Sequence, residues 1–317
     1  MGDLVRARDA LHYARGMDQS AAAPARETID SQGLAAAELS AGRFPEALDY
    51  SESALSLATE EQNETESVNA LAFRATVHFA LGHITAAEAD FRHATELKRV
   101  PLYSVHGIRE ADTKFQLGDR LGALRQTEAN REIAVATDWN EDLHACDALL
   151  ARFLLPDDPA QAAHHFQDAR AFADRSGNVE FQLRCFHAAT ELHRHLGDLP
   201  QSITEAESGI LLADTCGFGK FSIDLRLALA ETYLAAGDPH KALQNARNAL
   251  DRSEAPDCQY AWGKADGLHF CGIAHLRLNE PELARQRLTA ALEIRERLGH
   301  GRIEETRRAL AQFPPKQ

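Results

Sequence analysis

Leu229-Ala230-Glu231-Thr232-Tyr233-Leu234-Ala235-Ala236-Gly237-Asp238-Pro239-His240-Lys241-Ala242-Leu243-Gln244-Asn245-Ala246-Arg247-Asn248-Ala249 decides the fold. Gly237-Asp238 is a turn, and Pro239 stands just past it, where a missing N–H costs nothing because the first turn of a helix leaves that donor unbonded anyway. Ala242, Ala246 and Ala249 follow at helical spacing, and Ala242 must be small if two helices are to approach closely. The stretch is therefore a helix, a turn and a second helix.

The pattern recurs seven times. The turns centre on Gly42, Gly82, Gly118, Asp157, Gly197, Gly237 and Asn279, with spacings of 40, 36, 39, 40, 40 and 42 residues. Five residues after each centre stand Ala47, Ala87, Ala123, Ala162, Ser202, Ala242 and Ala284, and twelve after it Ala54, Ala94, Asn130, Ala169, Gly209, Ala249 and Ala291. Pro45, Pro159, Pro200, Pro239 and Pro281 open second helices. A fixed period of this length is the signature of a stacked repeat array, which grows along one axis.

This arrangement resembles the tetratricopeptide repeat, whose pattern sets Leu-Gly or Leu-Ala in a first helix, a Gly-Asp turn, then Ala, an aromatic residue and Ala in a second. Leu229-Ala230, Tyr233, Gly237-Asp238, Ala242, Ala246 and Ala249 fit it, and Gly272, Asn279, Ala284 and Ala291 fit nearly as well. The repeats exceed the common 34 residues. Long units of this kind, with the run Pro101-Leu102-Tyr103-Ser104-Val105-His106-Gly107 and the ending Leu298-Gly299-His300-Gly301-Arg302, resemble the helical sensor regions of bacterial signal-transduction ATPases. The resemblance implies an all-α superhelical solenoid of about seven antiparallel helix pairs. Residues 1–27 are expected to form an N-terminal capping helix and loop, 28–300 the repeats, and 301–317 a C-terminal capping helix and tail. Gln19 to Pro24 is the one segment expected to be loose.

Composition narrows the partners. The 317 residues carry 34 Lys plus Arg against 48 Asp plus Glu, a formal charge of -14 that repels phosphate backbones and anionic lipid. Nucleic acid and membrane are not expected as partners. No apolar signal region opens the chain and no apolar run approaches membrane-spanning length, so the reading is cytoplasmic. Cys146, Cys185, Cys216, Cys258 and Cys271 are scattered and form no C-x-x-C pair, so reduced, packed thiols are expected.

In the family that this chain resembles, the first helix of each pair lines a concave groove through residues thirteen, ten, six, three and two before the turn. The resemblance thus places Asn69 and Asp112 there from repeats two and three, in a mild, partly apolar stretch. It adds His144 and Asp147 from repeat four, Arg184, His187, Glu191, Arg194 and His195 from repeat five, Asp224 and Glu231 from repeat six, and Asp266 and His269 from repeat seven. Such a face could read a ligand bearing both charges, or its charges could merely solvate a surface and pair with one another. His187-x-x-x-Glu191-x-x-x-His195 offers three metal-ligand types on one helix face, but the ends stand about 12 Å apart, too far for one ion. No metal and no cofactor are expected. Of His164 and His165, which are adjacent and so face different ways, one should pack and one should be exposed.

No nucleophile elbow, zincin, P-loop or dinucleotide fingerprint is present, which makes catalysis the poorer reading. The expected function is a non-catalytic adaptor or sensor that binds a partner protein or peptide segment in the groove, in association with a separate signalling or ATPase subunit. The alternative is a receptor for a small molecule or signal peptide that acts by changing the superhelix pitch.

Overall fold

The computed structural model describes residues 4–21 and 23–313, and the expectations that touch residues 1–3, 22 and 314–317 lie outside the described residues. The fold is all-α. A leading helix, α1 (Leu4–Ser20), precedes seven antiparallel pairs: α2 (Pro24–Ala41) with α3 (Phe44–Glu60), α4 (Glu64–Leu81) with α5 (Ile84–Lys98), α6 (Ser104–Gln116) with α7 (Arg120–Ala136), α8 (Asn140–Phe153) with α9 (Pro159–Ser176), α10 (Val179–His195) with α11 (Leu199–Cys216), α12 (Gly219–Ala235) with α13 (Pro239–Glu254), and α14 (Ala261–Arg277) with α15 (Pro281–Leu298). A short α16 (Ile303–Leu310) closes the stack.

Turn chemistry explains these boundaries. Gly42, Gly82, Gly118, Gly197 and Gly237 take φ between +71° and +88°, a region costly for any side chain with a Cβ. Asp119, Asp158, Asp198 and Asp238 then accept the backbone N–H of Gly122, Gln161, Gln201 and Lys241, capping the second helices. The small positions Ala47, Ala87, Ala123, Ala162, Ser202, Ala242 and Ala284 are all buried, where paired helices touch. Cys146, Cys185, Cys258 and Cys271 are buried among the helices, and burial pushes the Cys146 and Cys185 thiols up to about 12.

The array coils until its end meets its beginning. The turn of repeat one, at Gly42, abuts Gly219 at the start of α12; the turn of repeat two, at Gly82, abuts Ala261 at the start of α14; the turn of repeat three, at Gly118, abuts Gly301 ahead of α16. Each turn therefore meets the unit five repeats later. Along this seam Trp262 stacks on Phe79 with ring centroids 4.3 Å apart, and its indole donates to the Phe79 carbonyl at 2.8 Å. Phe44 packs on Tyr260, and Gly301 N donates to Gln116 O. One apolar cluster joins Leu39, Phe44 and Phe79 to Tyr260, Trp262 and Leu298. The groove of an open solenoid becomes a chamber.

Candidate functional site

The chamber has a volume of about 870 Å³ and lies inside the coil, walled by first helices from repeats one to seven and by residues 300–305 before and within α16. Of the expected groove residues, Asp112, Arg184, His187, Glu191 and Arg194 line it, as do His195, Asp224, Glu231 and Asp266. Apolar side chains, among them Phe115, Leu149, Leu227 and Phe270, fill the wall between the charged groups.

Four expected groove residues lie elsewhere. Repeat four has no turn glycine, and 154–158 separate its helices where repeats three, five and six use 117–119, 196–198 and 236–238. Counting back from Asp157 therefore lands two residues off, and the wall positions of α8 are Leu149 and Arg152. His144 is buried, packs against Phe172 and Phe181, and bonds the Ala169 carbonyl at 3.0 Å. Asp147 is also buried, between Arg131 and His165 at 2.7 and 2.8 Å; His165 is the packed member of its pair and His164 the exposed one. His269 lies beneath α16, buried and bonded to Thr306 at 3.1 Å. Asn69 bridges α4 and α6: its Oδ1 accepts from His106 Nε2 at 2.9 Å, and its amide nitrogen donates to Glu66.

The charged groups form a linked network. Arg152 Nε donates to Glu191 at 2.8 Å, with Asp112 at 3.5 Å from its guanidinium; Arg194 and Arg302 share Glu231 at 3.0 and 2.7 Å. Arg184 holds Glu180, and Lys220 holds Asp224, each at 2.7 Å. Fully buried Arg295 reaches Asp266 at 2.5 Å and also donates to the Arg302 carbonyl and Thr306, tying the cap to the wall. Arg152 and Glu191 keep only 17% and 22% of their side-chain surface exposed, so their charges are largely withdrawn from water and act more strongly than on an open surface.

Titration behaviour follows from that enclosure. Burial pushes the Glu191 carboxyl up, but Arg152 and His187 outweigh it and hold the group at about 2. Burial, aided by Arg152, brings His187 down to about 4, so its imidazole is neutral at pH 7 despite Glu191 at 3.5 Å. Burial and the carboxylates of Asp224, Asp112 and Asp266 push Tyr260 well above its usual value. Asp266 is held well below its own: burial opposes ionisation, but Arg295 and His300 overcome it. Among the described residues no three His, Cys, Asp or Glu side chains converge as a metal-ligand set.

Arg109, Arg152, Lys220, Tyr260, Trp262 and Arg302 line the chamber without having been expected there. Arg109, Ala228 and Phe270 stand nine residues before their turns, and Glu180, Lys220 and Trp262 seventeen before. These positions continue the same helical stripe, so the period could have found them. Arg302 could not be found so, since only coil closure brings it to the wall.

No family model matches the chain, nor does any curated protein. Solved structures do. A Rap protein complexed with competence and sporulation factor superposes with a TM-score of 0.59 at 12% identity, over 98% of this chain and 99% of that one. A signal-transduction ATPase with numerous domains from Pyrococcus horikoshii, with a tetratricopeptide repeat sensor, gives 0.55 at 11% identity over 83% of this chain; the match spans only 41% of that protein. No helix of the described residues is long and apolar enough to cross a membrane. At these identities the likeness speaks to the fold, and it agrees with the seven pairs, their buried small positions and their glycine turns: the chain is a tetratricopeptide-repeat solenoid.

Proposed function

We propose that this protein is a non-catalytic receptor that takes a short extended peptide, free or as a segment of a partner protein, into the chamber. The observation that carries this is the enclosure. A volume of about 870 Å³ is in the range of ligand pockets and far below that of a folded domain. Seven Asp or Glu and seven Arg or Lys line it, a balance unlike the chain's net charge of -14, and apolar patches lie between them. That mixture suits a peptide, which offers charges of both signs, backbone amides and apolar side chains. The end-to-end likeness to a Rap protein that is complexed with competence and sporulation factor adds support.

The same enclosure favours a sensor over a passive adaptor. Because the wall is assembled from both ends of the coil, an occupant that touches α6 and α16 together binds the closed coil better than an open one. Such differential affinity is what shifts a conformational equilibrium, and the convex surface would report it to a separate signalling subunit.

Equilibrium dialysis against a random-sequence pentapeptide pool tests the reading, with the retained peptides identified by mass spectrometry. The wild-type protein should enrich a subset of sequences, and Arg184→Ala and Arg194→Ala should each cut retention by about tenfold, the usual scale for losing a charge-assisted hydrogen bond, with helical circular dichroism unchanged. Equal retention by the wild-type protein and both variants would remove the chamber as the binding site.

A further inference from the structure

Six of the seven lining Arg and Lys side chains have a carboxylate within 3.0 Å: Arg120 with Asp157, Arg152 with Glu191, Arg184 with Glu180, Arg194 and Arg302 with Glu231, and Lys220 with Asp224. Arg109 is the exception. Among the described residues no carboxylate comes within 4 Å of it, and its Nε is buried with no hydrogen-bond partner. Its guanidinium lies over the Phe73 ring, 4.7 Å from the centroid, which fixes its position without neutralising it. Arg184 and Lys220 stand with it around Glu180, and both are already committed. This corner therefore holds three cations, Arg109, Arg184 and Lys220, against the two anions Glu180 and Asp224.

A guanidinium with no carboxylate beside it in this wall carries a desolvation cost that its contact with Phe73 and the more distant charge of Glu180 offset only in part. Burial accordingly lowers the Arg109 pKa to about 10. The group still carries its charge at pH 7, so the corner stays positive and has room for an anion.

We infer that Arg109 is the anchor for a carboxylate of the bound peptide, taken in two parallel N–H···O bonds at the free edge of the guanidinium. The inference rests on the receptor reading above and sharpens it by giving the occupant a polarity: its carboxylate lies at α6, and the rest of it runs toward the acidic groups near Tyr260. Arginine favours a planar carboxylate because its donors form a fork of matching width. The carboxylate has two sources, the peptide C-terminus or an Asp or Glu side chain.

The test uses the full-length protein and three pentapeptide pools in equilibrium dialysis: one without Asp and Glu and with a free C-terminus, the same pool with a C-terminal amide, and an amidated pool that includes Asp and Glu. The wild-type protein should retain the first pool about tenfold better than the second, which identifies the terminal carboxylate, or the third better than the second, which identifies a side chain. Arg109→Gln should reduce the preferred pool to the level of the neutral one, and Arg109→Lys should restore part of the difference, since it keeps the charge and loses the fork. Arg109→Met serves if the glutamine variant folds poorly; removing an unpaired buried charge should leave the melting temperature equal or higher. Wild-type preference that persists in Arg109→Gln and Arg109→Met overturns the anchor and leaves the receptor reading standing. Equal retention of all three pools by the wild-type protein also overturns the anchor, and no retention of any pool overturns both.

Discussion

Along the seam, the turns of the first three repeats meet α12, α14 and Gly301 through glycines, aromatic faces and the indole hydrogen bond of Trp262. Along the chamber wall, the neighbouring helices α8, α10 and α12 are joined through Arg152, Glu191, Arg194 and Glu231. The first surface releases water from apolar groups and stabilises the coil by shape. The second must strip water from charges before their attraction can compensate, so its net worth to folding is small, although removing one member leaves its partner stranded. The seam thus holds the chamber closed, and the wall gives it a preference for what enters.

The largest effect that would separate the two belongs to Trp262→Ala. It deletes the Phe79 stack, the bond to the Phe79 carbonyl and the contact with His300, and should cost about 3–5 kcal/mol in urea unfolding. Solution scattering should show a larger radius of gyration, because the seam loses the aromatic stack that joins repeats two and seven. An unchanged radius would mean that the coil closes without the seam.

Gly219→Val is a narrower probe of the same surface. A Cβ at Gly219 would stand 2.4 Å from the Ala41 carbonyl, a backbone atom that cannot swing aside. The residue has ordinary helical φ, so the substitution strains the seam without straining its own backbone. It should cost about 1–3 kcal/mol and expand the coil as Trp262→Ala does, with the Arg152–Glu191 pair untouched. Full stability with an unexpanded coil would show that repeats one and six do not touch in solution.

Much of this was legible in the chain, and the limits of legibility have physical causes. The helix pairs, their turns and their close contacts could be read from Ala242 and its six counterparts because those contacts are local in sequence. The wall residues of repeats three, five and six followed from the same period. His144 and Asp147 did not, since nothing in the sequence around Asp157 marks two extra turn residues in repeat four. His269 failed for a different reason: α16 packs over its side of α14, a contact that the period of the repeats does not announce. The seam was beyond reach, because Trp262 and Phe79 stand 183 residues apart and meet only through the accumulated rotation of five repeats. Arg109 lay one position from the expected stripe, yet its lack of a partner is a property of the assembled chamber.

The smallest effect distinguishes a histidine of the wall from one of the interior. Burial holds His187 and His144 at about 4 and His106 at about 3, so between their usual 6.5 and those values the unfolded chain binds protons that the folded chain refuses. Stability must then fall as pH drops through that window. Glu191, held at about 2 against a usual 4.5, extends the loss below pH 4.5, where the unfolded carboxyl takes up a proton and the folded one does not. His144→Leu replaces an imidazole already packed between Phe172 and Phe181, and at pH 7 should change stability by no more than about 1 kcal/mol. Below pH 6 its melting temperature should fall less steeply than that of the wild-type protein and come to exceed it. Parallel curves from pH 7 to pH 4 would show that His144 is protonated in the folded state, contrary to its burial. His187→Gln should flatten the same window, but only its share should respond to an occupant, since His187 faces the chamber and His144 does not. The retained pentapeptides should therefore shift the pH dependence of His144→Leu and leave that of His187→Gln nearly unmoved.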